Sequence, residues 1–297
     1  MKEGECQQTP TVHTCPRNGC SFGKWSPREP EQGAPDKGML PVIQAIAFSR
    51  ELGTGRTRPC VFECVEPDGH HDDFVVKFRS SVNDNEVGLS FECIALSLAH
   101  HFGIATFDPR LVVFPDGLAE SLAGRDADVA DRIRQSPGYN FATRFTAGLF
   151  PVLDGSAIPL TYLSDATAVF SFDGLIENCD RGKDKPNLHL AKNRIFVFDH
   201  ELAFAFVYPT LGPTSDLWRE RLDFLRKHVL YDRLKRTEVD FRQVAARLEG
   251  LSDERIAEAF DFATPLRNPH NAKIRQHIQS ARDDSKGFFN GLREVLS

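Results

Sequence analysis

The hydrophobic and polar positions form a strand-like pattern at the start of the folded part. Beyond position 38, three short runs rich in β-branched and aromatic residues are PVIQAIAF, RPCVFECVE and DDFVVKFRS, separated by the turn segments GTG and PDGHH. Short apolar runs with such connections are typical of neighbouring strands in one sheet. The pattern therefore predicts an antiparallel β-meander. IATFDPRLVVF predicts a further strand pair or extended passage, and YNFATRF predicts a strand or a linker.

Helical spacing of apolar residues follows the meander and dominates the second half. The segment EVGLSFECIALSLAHHFG has apolar residues favouring one side and ends at Gly103, which predicts one long helix. LSDATAVFSFDGLIEN predicts another helix, with Ser164 or Asp165 as its N-cap. From about position 214 the pattern predicts a series of helices. A β-rich part followed by a mostly helical part predicts an α+β fold, with two lobes and a cleft between them.

Residues 1–38 differ in composition from the rest of the chain. They are rich in Pro, Gly, Gln and charged residues and contain almost no aliphatic ones. Such a segment buries too little apolar surface to offset its ordering entropy, so we predict a disordered tail. Its cysteines and His13 are irregularly spaced, which favours a tail over a zinc site. The predicted organisation continues with a β-rich lobe over 39–146 and a helical lobe over 147–297.

Overall composition limits the class of protein. Hydrophobic residues make up 41% of the chain and charged residues 26%, which is ordinary for a soluble globular protein. The net charge of −6 argues against nonspecific nucleic-acid binding. No run approaches the roughly 18 apolar residues of a membrane span, and the N-terminus lacks the apolar core of a secretory signal. The seven scattered cysteines are an odd number, which favours reduced thiols and a cytoplasmic location.

Five polar residues occur in the order that phosphoryl transfer from ATP requires. Lys77 lies in the third predicted strand and Glu92 in the helix after it, where each by itself is typical of a solvated surface. Asp180 and Asn187 lie in the polar segment ENCDRGKDKPNLHL, and Asp199 ends the predicted strand RIFVFD. A hairpin would bring the last two toward one cation, for which both supply oxygen ligands. A charged hairpin loop is the alternative, but it does not explain this order of groups.

The same segments resemble the HipA-like kinases. FDGLIENCDRGKDKPNLHL followed by RIFVFDHELAF resembles the family's catalytic segment, in which an N-x-D-R motif precedes an Asn and a metal-binding Asp after a strand. VVKF and FECIALSLAHHFGI resemble its strand Lys and helix Glu, so the resemblance covers about residues 39–207. It implies a protein-kinase-like fold with a β-rich N-terminal lobe, a mainly helical C-terminal lobe and a catalytic segment over 172–207. Two features depart from the family: the long catalytic loop and a glycine loop reduced to LGTGRTRP.

The resemblance implies ATP and Mg²⁺ as cofactors and a role for each residue. Lys77 would contact the α- and β-phosphates, and Glu92 would pair with Lys77. Asp180 would act on the acceptor hydroxyl. Around it, the sequence itself places hydrogen-bond donors for phosphate: Asn178, Arg181, Lys183 and Lys185. Metal would be bound by Asn187, which also contributes to nucleotide binding, and by Asp199. The glycine loop would supply further nucleotide contacts through Gly53, Thr54, Gly55 and Arg56, and NFATRF would lie near the adenine as the interlobe linker.

The implied activity is transfer of the γ-phosphate of ATP to a hydroxyl group, with protein Ser/Thr as the acceptor. A small-molecule acceptor is an alternative. The reduced glycine loop leaves open a pseudokinase that binds nucleotide or a partner protein. A third possibility is a component of a toxin–antitoxin-like module, with its partner encoded nearby. The chain has no DNA-binding motif of its own, so we expect neither direct nucleic-acid binding nor membrane association.

Overall fold

The computed structural model describes residues 38–53, 56–152, 158–191, 193–208 and 222–297. Residues 37–297 form one compact unit. Nearly all of the predicted tail lies outside the described residues, as do Thr54 and Gly55 of the predicted nucleotide loop. The division of the compact unit into lobes at position 146 stays a prediction.

Five strands of the N-terminal part close into a barrel. The strands of the described chain are β1 Val42–Glu51, β2 Cys60–Val65, β3 His71–Lys77, β4 Ala105–Thr106, β5 Pro109–Val113, β6 Asn140–Arg144, β7 Phe150–Pro151, β8 Leu188–Ala191 and β9 Arg194–Val197. The barrel order is β1-β2-β3-β6-β5, with β1 and β5 paired in parallel. Antiparallel pairing of β1 with β2 and of β2 with β3 confirms the predicted meander.

The segment NFATRF does not form a linker but supplies β6. Asn140–Arg144 pairs with β3 on one side and with β5 on the other, so the backbone on both edges of the strand is hydrogen-bonded. Phe141 and Ala142 point to opposite faces and are both buried. The strand interpretation of this segment is therefore confirmed. Its placement as the interlobe linker is wrong, because both of its edges are needed to close the barrel.

The remaining four strands form a second sheet in the order β4-β9-β8-β7. Strands β8 and β9 are an antiparallel hairpin in which Leu188 lies opposite Val197. Strand β4 pairs with β9 in parallel. The predicted strands around LHLA and RIFVFD are thereby confirmed as a hairpin, and its open end carries the polar residues that precede β8 and follow β9.

Nine α-helices are present in the described ranges, and the last six make up most of the C-terminal part. In the described ranges they are α1 Glu86–His101, α2 Leu118–Leu122, α3 Ala127–Arg134, α4 Leu163–Leu175, α5 Tyr231–Lys235, α6 Arg242–Glu249, α7 Asp253–Asp261, α8 Asn271–Asp283 and α9 Ser285–Leu296. The predicted N-cap of α4 at Ser164 or Asp165 is wrong, since the helix already begins at Leu163. The Asp165 carboxylate instead accepts hydrogen bonds from Arg194 and from the Ile195 backbone. The order of strands and helices confirms the α+β class. None of the helices in the described ranges is both long and apolar enough to span a bilayer.

Helix α1 lies in the middle of the packed unit. Twelve of its sixteen residues are buried, so it is covered on nearly every side rather than on one face. One hydrophobic cluster fills the barrel around Phe62 and Phe74. A larger cluster joins α1 to α4 and to the C-terminal helices. A polar side chain in the middle of α1 cannot reach water and therefore needs a partner inside the protein.

Candidate active site

The predicted Lys77–Glu92 pair is present in the structure. Lys77 ends β3, and its ammonium group donates hydrogen bonds to the Glu92 carboxylate and, over 2.7 Å, to Asp199 Oδ1. The Glu92 side chain is only 1% exposed, so the interpretation of Glu92 as a solvated surface residue is wrong. The burial of α1 explains why this carboxylate turns to the barrel instead of to water.

The charges of this cluster stabilise one another. Burial alone would lower the pKa of Lys77, but the carboxylates of Asp199 and Glu92 outweigh it and hold that pKa above its ordinary value. Burial alone would raise the pKa of Asp199, but Lys77 and Lys185 hold it well below its usual range. The lysines are therefore cationic and Asp199 anionic at neutral pH.

The β8–β9 hairpin carries Asn187 and Asp199 at its open end. The Phe198 amide donates to the Asn187 carbonyl over 3.4 Å, which extends the ladder by one residue pair. Asn187 and Asp199 have φ values of 48° and 62°, in the left-handed region that short polar residues tolerate better than most. The Asn187 Nδ2 atom is buried and has no hydrogen-bond partner. The hairpin thus presents a carboxylate and an amide from the same end.

Lys185 connects the two aspartates. Its ammonium group lies 2.6 Å from Asp180 Oδ2 and 3.3 Å from Asp199 Oδ2. The structure therefore brings Lys77, Asp180, Lys185 and Asp199 into one chain of charged contacts. Over the described residues, no group of three or more His, Cys, Asp and Glu side chains has the arrangement of a metal centre.

Arg181 is not available as a phosphate donor, which corrects its predicted role. Its guanidinium is fully buried and donates to Asp173 over 2.6 Å, to the Asn187 carbonyl over 2.6 Å and to the Phe198 carbonyl over 3.3 Å. A fourth contact of 3.0 Å joins it to His200 Nε2. A loop arginine is ordinarily solvated, but this one holds together the backbone of both hairpin strands.

Three further residues belong to this region and were not predicted from the sequence: Asp173, His200 and His228. Asp173 accepts from Arg181, from the Asn178 side chain over 3.0 Å and from His228 over 2.9 Å. Burial alone would raise the pKa of Asp173, but Arg181 and His228 hold it well below its usual range. An aspartate inside the apolar helix sequence AVFSFDGLI was a usable signal, because a buried carboxylate requires a partner. No local signal marked His228, which comes from a distant part of the chain.

The long spacing between Asp180 and Asn187 has a structural counterpart. Gly182 forms an isolated antiparallel bridge with His228, and the Val229 amide donates to the Arg181 carbonyl over 3.1 Å. Lys183 forms an ion pair with Asp232. The segment that follows Asp180 is thus docked on residues 228–232 and is held by backbone pairing.

The predicted nucleotide loop is described only at its ends. Gly53 lies shortly after β1, and Arg56 donates to Glu201 Oε1 over 2.6 Å. The Arg56 side chain is half exposed, whereas Glu201 is buried and its Oε2 atom has no hydrogen-bond partner. Burial raises the pKa of Glu201, as do the nearby charges of Asp199 and Glu92. This ion pair joins the loop after β1 to the segment just after Asp199.

Comparison with known proteins identifies a family. A family model described as HipA-like kinase matches residues 45–247. No curated protein matches the chain. Among solved structures, a Helicobacter pylori proinflammatory kinase, CtkA, is 12% identical with a TM-score of 0.47, and the match covers 86% of this chain and 100% of that one. A MAP kinase from Leishmania major, LmaMPK10, is 13% identical with a TM-score of 0.29, over 83% of this chain and 81% of that one.

Both TM-scores are too low for these two likenesses to bear on the site. The family match is different in kind, since it spans well over half of the chain and includes every residue of the charged cluster from Lys77 to Asp199. The chain belongs to the HipA-like kinase family.

Proposed function

We propose that the protein transfers the γ-phosphate of ATP, with Mg²⁺, to the hydroxyl group of a protein serine or threonine. The observation that carries this proposal is the convergence of Lys77 and Lys185 on opposite oxygens of Asp199. Two ammonium groups and a flanking aspartate, Asp180, fit a site for polyphosphate and acceptor. The protein acceptor is proposed from family membership.

The donor set fits Mg²⁺, which prefers oxygen ligands and completes its octahedron with phosphate oxygens and water. Asp199 would supply a carboxylate oxygen and Asn187 its amide oxygen. The Nδ2 atom of Asn187 is buried without a hydrogen-bond partner, so no hydrogen bond of this nitrogen holds the amide in its present orientation. When bound, Mg²⁺ neutralises charge on the β- and γ-phosphates. In its absence, the two lysines provide the positive charge around Asp199.

The lysines and Asp180 have separate tasks in this proposal. Lys77, held by Glu92, would contact the α- and β-phosphates. Lys185 would leave Asp180 for the γ-phosphate, because a dianionic phosphoryl group attracts it more strongly than one carboxylate does. Asp180 would then be free to accept a hydrogen bond from the acceptor hydroxyl. Its backbone amide donates to Asn178 Oδ1 over 3.3 Å, and this contact orients the residue before any ligand arrives.

Nucleotide binding without phosphoryl transfer is the second candidate function. The loop sequence LGTGRTRP has no GxGxxG pattern, so the cover over the phosphates is reduced relative to ordinary kinases. A pseudokinase of this kind would keep Lys77 and Asp199 for binding and would not use Asp180. The two candidates therefore predict different consequences for the two aspartates.

The test compares Asp199→Asn with Asp180→Asn. Calorimetry with a nonhydrolysable ATP analogue, with and without Mg²⁺, is run beside an assay of ³²P transfer to protein acceptors. We expect Asp199→Asn to abolish transfer and the Mg²⁺-dependent part of binding. Asp180→Asn should abolish transfer and leave Mg²⁺-nucleotide affinity within a few-fold, since Asp180 is assigned to the acceptor. Asp261→Asn, an exposed aspartate at the end of α7, is the control and should match wild type.

Four outcomes would contradict the proposal in part or in whole. Loss of nucleotide affinity in Asp180→Asn but not in Asp199→Asn would reverse the two roles. Tight Mg²⁺-nucleotide binding by wild type without transfer to any acceptor would support the pseudokinase. Transfer to a small alcohol or amino sugar but to no protein would reject the protein acceptor. Wild type that binds no nucleotide would reject both candidate functions.

A further inference from the structure

Two buried histidines flank the Arg181–Asp173 pair, and their contacts fix opposite tautomers. In His228, Nδ1 accepts a hydrogen bond of 3.1 Å from the Leu230 amide, so the proton must lie on Nε2, which donates to Asp173 over 2.9 Å. In His200, Nε2 faces the Arg181 guanidinium at 3.0 Å. A guanidinium only donates, so His200 Nε2 must accept and the ring proton must lie on Nδ1.

The protonated nitrogen of His200 points to the Lys77–Glu92 pair. Its Nδ1 atom is buried without a hydrogen-bond partner and lies 3.6 Å from Glu92 Oε2. Both side chains are almost completely inaccessible to water. The other Glu92 oxygen already accepts from Lys77. A shift of less than about 1 Å would bring the N–H within hydrogen-bond distance of the carboxylate, which is the scale on which catalytic contacts tighten when ligands bind.

We propose that His200 is a positioning residue that couples Glu92, and through it Lys77, to Arg181. The inference rests on the proposed kinase function and adds a residue to its machinery. Arg181 holds the carbonyls of Asn187 and Phe198, so its position sets the end of the hairpin that carries both proposed metal ligands. His200 thereby ties the phosphate-binding lysine to the metal-binding hairpin from inside the core.

A purely space-filling role does not account for this arrangement. His200 makes an edge contact with Phe172, which an apolar ring would make equally well. Burial of a polar ring without partners costs free energy, and here one nitrogen is paired and the other faces a carboxylate. A link between Arg181 and Glu92 requires one nitrogen of His200 to face each of them, and Nε2 faces Arg181 while Nδ1 faces Glu92.

The first test is NMR of the imidazole nitrogens in ¹⁵N-labelled wild type. We expect the His200 proton on Nδ1 and the His228 proton on Nε2, with signals assigned by the single variants His200→Gln and His228→Gln. In Glu92→Gln, the Nδ1–H signal of His200 should shift while the Nε2–H signal of His228 stays. The proposal is overturned if the His200 proton lies on Nε2, or if the His200 signal does not shift in Glu92→Gln. This measurement needs no catalytic turnover, so it is independent of whether the kinase function is correct.

The second test separates positioning from packing with His200→Gln and His200→Phe. The glutamine tip lies near the place of Nε2, so His200→Gln keeps an acceptor for Arg181 but loses the donor that faces Glu92. His200→Phe keeps the ring volume and loses both. We expect His200→Gln to recover most of the thermal stability that His200→Phe loses. Both should lower kcat about 10- to 100-fold, the usual effect of removing a residue that orients a ligand. Recovery of kcat together with stability in His200→Gln would contradict the proposal.

Discussion

Lys185 donates a hydrogen bond of 2.6 Å to Asp180, five residues earlier in the same loop. The same ammonium lies 3.3 Å from Asp199, so one cation lies between the proposed acceptor-binding residue and the proposed metal ligand. Burial alone would lower the pKa of Lys185. The carboxylates of Asp199 and Asp180 outweigh this effect and raise the pKa, so the side chain remains charged. The loop therefore places the positive charge of Lys185 where the γ-phosphate would bind in the proposed function.

Substitution of Lys185 by Gln should lower kcat by about 10²-fold, the typical loss when one preorganised charge stabiliser is removed. The fold should persist, since the side chain is about one-third exposed. Initial rates of ³²P transfer and a thermal melt give the two readouts. Lys286→Gln, at an exposed position of α9, is the matched control and should keep wild-type rates. A Lys185→Gln rate within about threefold of wild type would show that this lysine does not contact phosphate.

Lys77→Ala should reduce transfer by several orders of magnitude, because its phosphate contact acts mainly in the transition state. It also leaves the buried Glu92 without a cation, which costs on the order of 3 kcal/mol of the free energy of unfolding. The double variant Lys77→Met/Glu92→Gln removes both charges and should recover most of that stability but none of the rate. Activity within about tenfold of wild type in Lys77→Ala would mean that another cation positions the phosphates.

The Arg56–Glu201 ion pair gives a separate stability prediction. Arg56→Gln leaves the buried Glu201 carboxylate with no cation on Oε1 and should destabilise the fold by roughly 1–2 kcal/mol, a modest value because Arg56 is half exposed. Urea unfolding measures this difference. Addition of Glu201→Gln should restore most of the loss, because a neutral amide needs no counter-charge. Equal stability of wild type and Arg56→Gln would show that this ion pair contributes nothing.

His228 should make the free energy of unfolding depend on pH between about 7.5 and 5. Burial lowers the pKa of His228 below its ordinary value, so below about pH 6.5 the unfolded chain binds a proton that the folded protein resists. Stability is therefore lost as pH falls, by up to about 1.4 kcal/mol per pH unit.

The variant His228→Gln keeps a donor for Asp173 and has no such proton to bind. We expect it to be less stable than wild type at pH 7.5, and the difference should shrink as the pH approaches 5. Asp173 does not interfere, because a depressed carboxyl pKa affects stability only below about pH 4. Denaturant unfolding of both proteins at several pH values checks this. A difference that stays constant with pH would mean that His228 titrates normally in the folded state.

Features that depend on neighbouring residues could be predicted from the amino-acid pattern. Alternation of apolar residues and the turn segments between them predicted β1 to β3 and the β8–β9 hairpin. Helical spacing and Gly103 predicted α1. The order of polar residues from Lys77 to Asp199 predicted a phosphoryl-transfer site, because each residue could be assigned to a predicted strand, helix or loop. Local periodicity and turn chemistry act over a few residues, so they can be recognised without the rest of the fold.

Contacts between side chains from distant parts of the chain could not be predicted in this way, because they depend on how the elements pack. NFATRF carries a pattern equally suited to a linker or a strand, and its role followed from pairing with β3 and β5, which are distant in sequence. Arg181 is buried because it pairs with Asp173 of α4, and Asp173 also binds His228, which comes from far along the chain. Lys185 contacts two aspartates, one that precedes β8 in the chain and one that follows β9. Such contacts have no local period, since burial and charge pairing arise only when separate elements pack together.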